Sequence, residues 1–118
     1  LEPNNPEINY SLWMLYAEKG EGASAEQYLG KALSLRPDYP DALNNLGVLF
    51  ARDQKYAEAE AQFQTCIRSA PHFAQAYLNL AHLYVVLNDR EKAKGVLASL
   101  LRLEPENAMA RQTLEKLN

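Results

Sequence analysis

Pro3, Pro37, Pro71 and Pro105 stand 34 residues apart, in three equal steps. No other feature of the chain restricts the fold as much. Self-similarity at a fixed period of a few tens of residues marks an array of stacked units, each of which needs its neighbour to bury its apolar face. Other positions keep the same step. Leu12, Leu46, Leu80 and Leu114 share one slot, and Tyr16, Phe50 and Tyr84 share an aromatic slot four residues on. Ala25, Ala59 and Ala93 share a small-residue slot, followed four residues later by Leu29, Phe63 and Leu97.

Within each unit the apolar residues fall at i, i+3, i+4 and i+7, the spacing of one helix face. Gly20 to Gly22, Asp53 to Lys55 and Asn88-Asp89 interrupt that pattern, so each unit divides into two helices. The spacing predicts helices over roughly 7–19, 23–35, 41–53, 57–69, 75–87, 91–103 and 108–117. Each prolines' slot ends a second helix, because proline lacks an amide donor and keeps its predecessor out of the α region. Asp41, just after Pro40, places a carboxylate against the open amides of a helix start. No strand-like alternation competes. The expected fold class is all-α: one domain of three antiparallel helix pairs, about 6–39, 40–73 and 74–107, and a last helix over 108–118.

These residues resemble the tetratricopeptide repeat, whose pattern is W-x2-L-G-x2-Y, then A-x3-F, then P. The middle unit carries Leu46-Gly47, Phe50, Ala59, Phe63 and Pro71, and the third carries Tyr77, Leu80-Ala81, Tyr84, Ala93, Leu97 and Pro105. The resemblance covers essentially the whole chain. It implies a right-handed superhelix whose first helices line a concave surface. The first unit departs from the pattern, because Trp13 stands in the slot of Gly47 and Ala81. Either Gly22 and Ala23 leave room for the indole, in the slot that Tyr56 and Arg90 fill elsewhere, or the first helix is locally shifted.

Both ends carry expectations. Leu1-Glu2-Pro3 repeats Leu103-Glu104-Pro105 three periods away, as the tail of a preceding unit would, so the chain is expected to be cut from a longer protein. Residues 108–118 read as a first helix with no second. Glu115 in the small-residue slot and Lys116 beside it give it the polar outer face of a capping helix.

Composition excludes several functions. A net charge of -3 and a pI near 5.4 make nucleic acid and anionic membrane poor partners. No apolar run approaches the ~18 residues of a membrane span. Cys66 is the only cysteine, which excludes an internal disulfide or a cysteine metal cluster; its slot, shared with Ala32 and Leu100, is that of a small buried hydrophobe. Phosphate loops, catalytic triads and zinc motifs are missing. His72 and His82 lie ten residues apart without further ligands at metal spacing. The expectation is therefore no catalytic residue, no metal and no cofactor, with the cytoplasm as default location.

Function would reside in the implied groove. Opposite the packing stripe, the first helices offer Glu7, Tyr10, Ser11, Met14 and Glu18, then Asp41, Asn44, Asn45, Val48 and Arg52, then Gln75, Leu78, Asn79, His82 and Val86. Peptide contact is expected at Tyr10, Met14, Asp41, Asn44, Asn45, Val48, Arg52, Gln75, Leu78, Asn79 and His82. Asn45 and Asn79 hold one slot, with Ser11 and Thr113 before and after. In the long arrays of O-linked N-acetylglucosamine transferases, asparagines at this slot form a ladder along the backbone of an extended peptide. An amide suits that use because it both donates and accepts. The alternative is that these amides are solvated or bond within the stack.

Chaperone-binding members of the family grip a terminal carboxylate with Lys, Asn, Asn, Lys and Arg. The corresponding slots hold Tyr10, Met14, Asn45, Gln75 and Asn79, without any of the three cations, so no such clamp is expected. The matching ligand is instead a neutral-to-basic extended segment with a few apolar side chains. The expected function is a non-catalytic protein–protein interaction scaffold holding a partner's peptide or helix in its groove. The rivals are a targeting or substrate-recognition arm of a larger enzyme, such as a glycosyltransferase, and a self-association module using apolar surface near Ile8, Leu12 and Trp13.

Overall fold

The computed structural model describes residues 4–118, and the expectation about Leu1-Glu2-Pro3 lies outside them. The described residues form α1 (Pro6–Glu18), α2 (Gly22–Leu35), α3 (Pro40–Arg52), α4 (Tyr56–Ser69), α5 (Ala74–Val86), α6 (Arg90–Leu103) and α7 (Ala108–Leu117). The first six begin one residue earlier than the apolar pattern predicts. Pro6 and Pro40 explain two of these cases, because proline fits the first helical position, where its missing amide costs nothing. The Asn5 side chain caps α1 by accepting from the Ile8 amide at 3.0 Å. Asp89 and Asn107 cap α6 and α7 in the same way, accepting from the Lys92 and Ala110 amides.

The period is written into the backbone as well. Gly20, Gln54 and Asn88, one per unit, all adopt positive φ, at 77°, 62° and 60°. Each lets the next amide reach back to a carbonyl in the last turn: Glu21 to Tyr16 at 2.9 Å, Lys55 to Phe50 at 2.8 Å and Asp89 to Tyr84 at 2.8 Å. Every inner helix therefore stops at the same point and reverses with the same geometry. Glycine takes that conformation freely, whereas Gln54 bears roughly 1–2 kcal/mol of strain.

Helices pair as α1 with α2, α3 with α4 and α5 with α6, and the pairs stack into a helical-repeat superhelix. The closest approach lies inside the second pair. A Cβ placed on Gly47 would meet Phe63 Cε1 at 2.5 Å, so only glycine admits the fully buried ring. In the third pair the same two slots hold Ala81 and Leu97, a larger residue facing a smaller one. In the first pair Trp13 turns its indole toward α3. There it packs with Tyr10, Leu46 and Leu49 on the cluster of Leu29, Ala32, Tyr39 and Ala42. It also borders a cleft beside Gly20 and Gly22. Because α1, α3, α5 and α7 begin at residues 6, 40, 74 and 108, the indole is accommodated without shifting the first helix.

Polar ties reinforce the stack where pairs meet. Tyr84 on α5 donates its hydroxyl to the Glu60 carboxylate on α4, and burial together with that carboxylate pushes the phenol up to about 12. Cys66 is fully buried, as its slot implies, with its thiol 3.3 Å from the Pro40 carbonyl and pushed up to about 11, chiefly by burial. At the far end α7 packs on α6, burying Ala110 and Leu117 and leaving Arg111, Gln112, Glu115 and Lys116 exposed. The molecule measures 52 × 26 × 22 Å, with a radius of gyration of 15.1 Å. A compact domain of this length would have about 13.5 Å, so the stack is elongated.

The Gly47–Phe63 contact generates a stability prediction. Gly47→Ala gains about 0.5–1 kcal/mol of helix propensity but forces the ring to move, at about 1–3 kcal/mol, for a net loss. Combining it with Phe63→Leu recreates the Ala81–Leu97 pair. In urea unfolding, the double variant is expected to recover about 1–2 kcal/mol relative to the sum of the singles. Simple additivity would show that the contact does not set the approach of α3 and α4.

Candidate functional site

The inner helices α1, α3, α5 and α7 leave three clefts in series. The first, about 300 Å³, lies between α1, α2 and α3, with Trp13, Ala17, Gly22, Leu49 and Arg52 in its wall. The second, about 330 Å³, lies between α3, α4 and α5, with Val48, Ala51, Tyr56, Asn79, Leu83 and Val86. The third, about 350 Å³, lies between α5 and α7, with Gln75, Leu78, Val85, Met109 and Lys116. Arg52 borders the first and second, and His82 borders the second and third, so the three adjoin.

The first two are one hollow repeated by the 34-residue period. Ala17 and Ala51, Gly22 and Tyr56, Leu49 and Leu83, Arg52 and Val86 occupy equivalent slots in them. Their chemistry differs because the slots do. Tyr56, Phe63 and Val86 make the second apolar, whereas Glu26 and Arg52, with no side chain at Gly22, leave the first more polar.

Of the residues expected from the sequence, Val48, Arg52, Asn79 and His82 meet in the second cleft, and Gln75, Leu78 and His82 in the third. Met14 is exposed but borders none of the three. The remaining four border none of the three clefts: Tyr10, Asn44 and Asn45 join units through their side chains, and Asp41 engages only its backbone carbonyl, within α3. Asn45 Nδ2 donates to the Tyr10 hydroxyl and to the Asp41 carbonyl, both at 2.8 Å. Asn79 Nδ2 donates to Asn44 Oδ1 at 3.0 Å, while Gln75 Nε2 donates to Asn79 Oδ1 at 3.1 Å. Both cross-unit bonds span 35 residues, so they are successive rungs of one ladder. Asn45 thus has both N–H groups, and Asn79 one of its two, bonded inside the stack. Asn44 is buried as a result, with only 6% of its surface exposed.

Tyr10 also packs its ring against Trp13 and Tyr39, at 5.3 and 5.2 Å between centroids. Burial, then the nearby Asp41 carboxylate, raise its hydroxyl above the ordinary tyrosine value. Among the described residues, no group of three or more His, Cys, Asp or Glu is placed to hold a metal ion, and no helix is long and apolar enough to cross a membrane.

Sequence reasoning passed over Val85, Met109, Lys116 and Leu117, all of which border the third cleft. The period carried the signal for two of them. Met109 shares the slot of Glu7, Asp41 and Gln75, and Lys116 shares that of Met14, Val48 and His82. Treating α7 only as a cap hid its contribution to the inner face.

Sequence profiles described as tetratricopeptide repeat match residues 10–74 and 50–117. Among solved structures, the first tetratricopeptide domain of Spaghetti (RPAP3) bound to the HSP90 peptide SRMEEVD superposes with a TM-score of 0.82. It is 22% identical, and the match covers 99% of this chain and 95% of that one. YrrB, described as having an unusual peptide-binding site, gives 0.81 at 24% identity over 98% of this chain and 58% of its own. A tetratricopeptide repeat protein from Parabacteroides merdae gives 0.82 at 27% identity over 95% of this chain and 45% of its own. The chain thus spans about half the length of the latter two. No curated protein matches the sequence.

The rungs yield a measurable coupling. Asn44→Ala removes the acceptor of Asn79 and is expected to cost about 1–2 kcal/mol. In a double-mutant cycle with Asn79→Ala, read by chemical unfolding, the pair is expected to couple by about 0.5–1.5 kcal/mol. Independent effects of the two substitutions would remove the rung from the account.

Proposed function

The chain belongs to the tetratricopeptide repeat family, and we propose that it is a non-catalytic protein–protein interaction scaffold that holds an extended peptide or helix of a partner along its inner helices. The observation that carries this reading is the run of three adjoining clefts on α1, α3, α5 and α7. A rigid stack can present such a run without first ordering itself, which lowers the entropic cost of binding. The peptide held by Spaghetti and the peptide-binding site ascribed to YrrB support the same use of this fold.

The anchoring groups follow from what the stack leaves free. Competing for the Asn45 and Asn79 donors would break joints, so the clefts and their exposed rims supply the affinity in this reading. Val86, 52% exposed on the rim of the second cleft, can be changed without opening the core. Peptides selected by display against the chain are expected to lose at least about tenfold in affinity with Val86→Glu, the scale of one apolar contact. Ala61→Glu on the exposed face of α4 should leave them unaffected. The converse pattern, with both variants retaining native circular dichroism, would place binding outside the groove.

A second reading, self-association, rests on α1. Ile8 and Leu15 are 48% and 46% exposed, while Ala42, Ala76 and Ala110 in the Ile8 slot are fully buried, and in the Leu15 slot Leu83 and Leu117 are buried and Leu49 half-buried. The face that α3, α5 and α7 each press onto a preceding pair is thus open on α1, and such a face can pair between copies. Light scattering is expected to show a concentration-dependent dimer that Ile8→Glu with Leu15→Glu abolishes. A monomer at all accessible concentrations would discard this reading.

A further inference from the structure

The inner face loses carboxylates from one end to the other, with Arg52 a cation in the second unit. Successive inner helices present Glu7, Asp41, Gln75 and Met109 at one slot, and Glu18, Arg52 and Val86 at another. The α1 end therefore carries uncompensated carboxylates: Glu7, Glu18 and Asp41 form no ion pair among the described residues. Arg36, which acts on Tyr39 together with Glu7 and Asp41, is paired with Asp38 at 3.8 Å and stacked on the Tyr39 ring. Burial first, and then Asp41, disfavours ionisation of Tyr10, and the same two together with Glu7 disfavour that of Tyr39, against Arg36.

The opposite end is apolar. Leu78, Val85, Met109 and Leu117 surround the third cleft, and Met109 is 60% exposed. Lys116 and His82 stand on its rim in place of acids. Charge and hydrophobicity thus run in opposite directions along one continuous trough.

Resting on the groove reading above, we propose that the trough selects a bipartite segment: basic side chains over Glu7 and Asp41, and a large apolar side chain seated in the α5–α7 cleft. Its field repels an acidic peptide such as the one Spaghetti holds. Two interhelical spacings of about 8–10 Å separate the ends. An extended chain covers them in about six residues, at roughly 3.3 Å each.

The test uses two fluorescein-labelled, terminally blocked octapeptides of one composition. The first is Arg-Arg-Ser-Gly-Ser-Gly-Leu-Phe, and its isomer interleaves the arginines with the apolar residues. Fluorescence anisotropy is expected to give about tenfold tighter binding of the first peptide, the scale of burying one large apolar side chain. Glu7→Gln with Asp41→Asn should erase that preference and flatten the salt dependence, and Met109→Glu should erase it without changing the salt slope. Equal binding of the two isomers that is still abolished by Val86→Glu would overturn the bipartite rule while sparing the groove. Failure of both octapeptides to bind also overturns the rule. The groove reading itself falls only if display-selected peptides ignore Val86→Glu as well. Dimerisation blocked by Met109→Glu would assign the trough to a second copy instead and overturn the proposal.

Discussion

The depth to which one side chain can sink into the neighbouring helix governs the architecture. Phe63 lies over Gly47 where even a methyl group would collide, and Leu97 lies over Ala81 in the next pair. Interiors are packed densely enough that such a contact fixes helix separation to a few tenths of an ångström. With the same reversal at Gly20, Gln54 and Asn88, the three pairs repeat one hairpin geometry and stack in series. The trough on the inner helices is a consequence of that stacking.

Polar groups then divide between joint and surface. An amide shared by two units can serve the joint or a visitor; Asn45 and Asn79 each make one bond across a joint. Buried amides left without partners would cost more than the rungs contribute, which favours this use. The first joint is built differently from the second. Tyr10 and Trp13 supply aromatic bulk where Asn44 and Gly47 stand one unit later, and α2 touches α3 over less area than α4 touches α5. The trough begins with a polar cleft and ends with an apolar one.

Much of this was legible in the residues themselves. The 34-residue step, the aromatic and small-residue slots and the glycine at position 47 dictated the pairs and their order, because each is a local requirement of backbone or packing. Six helix starts were displaced by one residue, two of them because an apolar pattern is silent about a proline that belongs to the first turn. Side-chain direction was less accessible. Tyr10 and Asn44 share a helix face with groove residues, yet whether such a residue meets solvent or the adjacent unit depends on how far successive pairs rotate. No periodicity records that angle. Met109 and Lys116 were recoverable, because the period extends through α7 even though its second helix does not follow.

Small-angle X-ray scattering of the chain at dilution tests the stacking most directly. An elongated array predicts a radius of gyration close to the 15.1 Å of the Cα trace and a longest dimension near 52 Å. A value near the roughly 13.5 Å of a compact domain of this length would mean that the helix pairs fold back on one another and that no open trough exists.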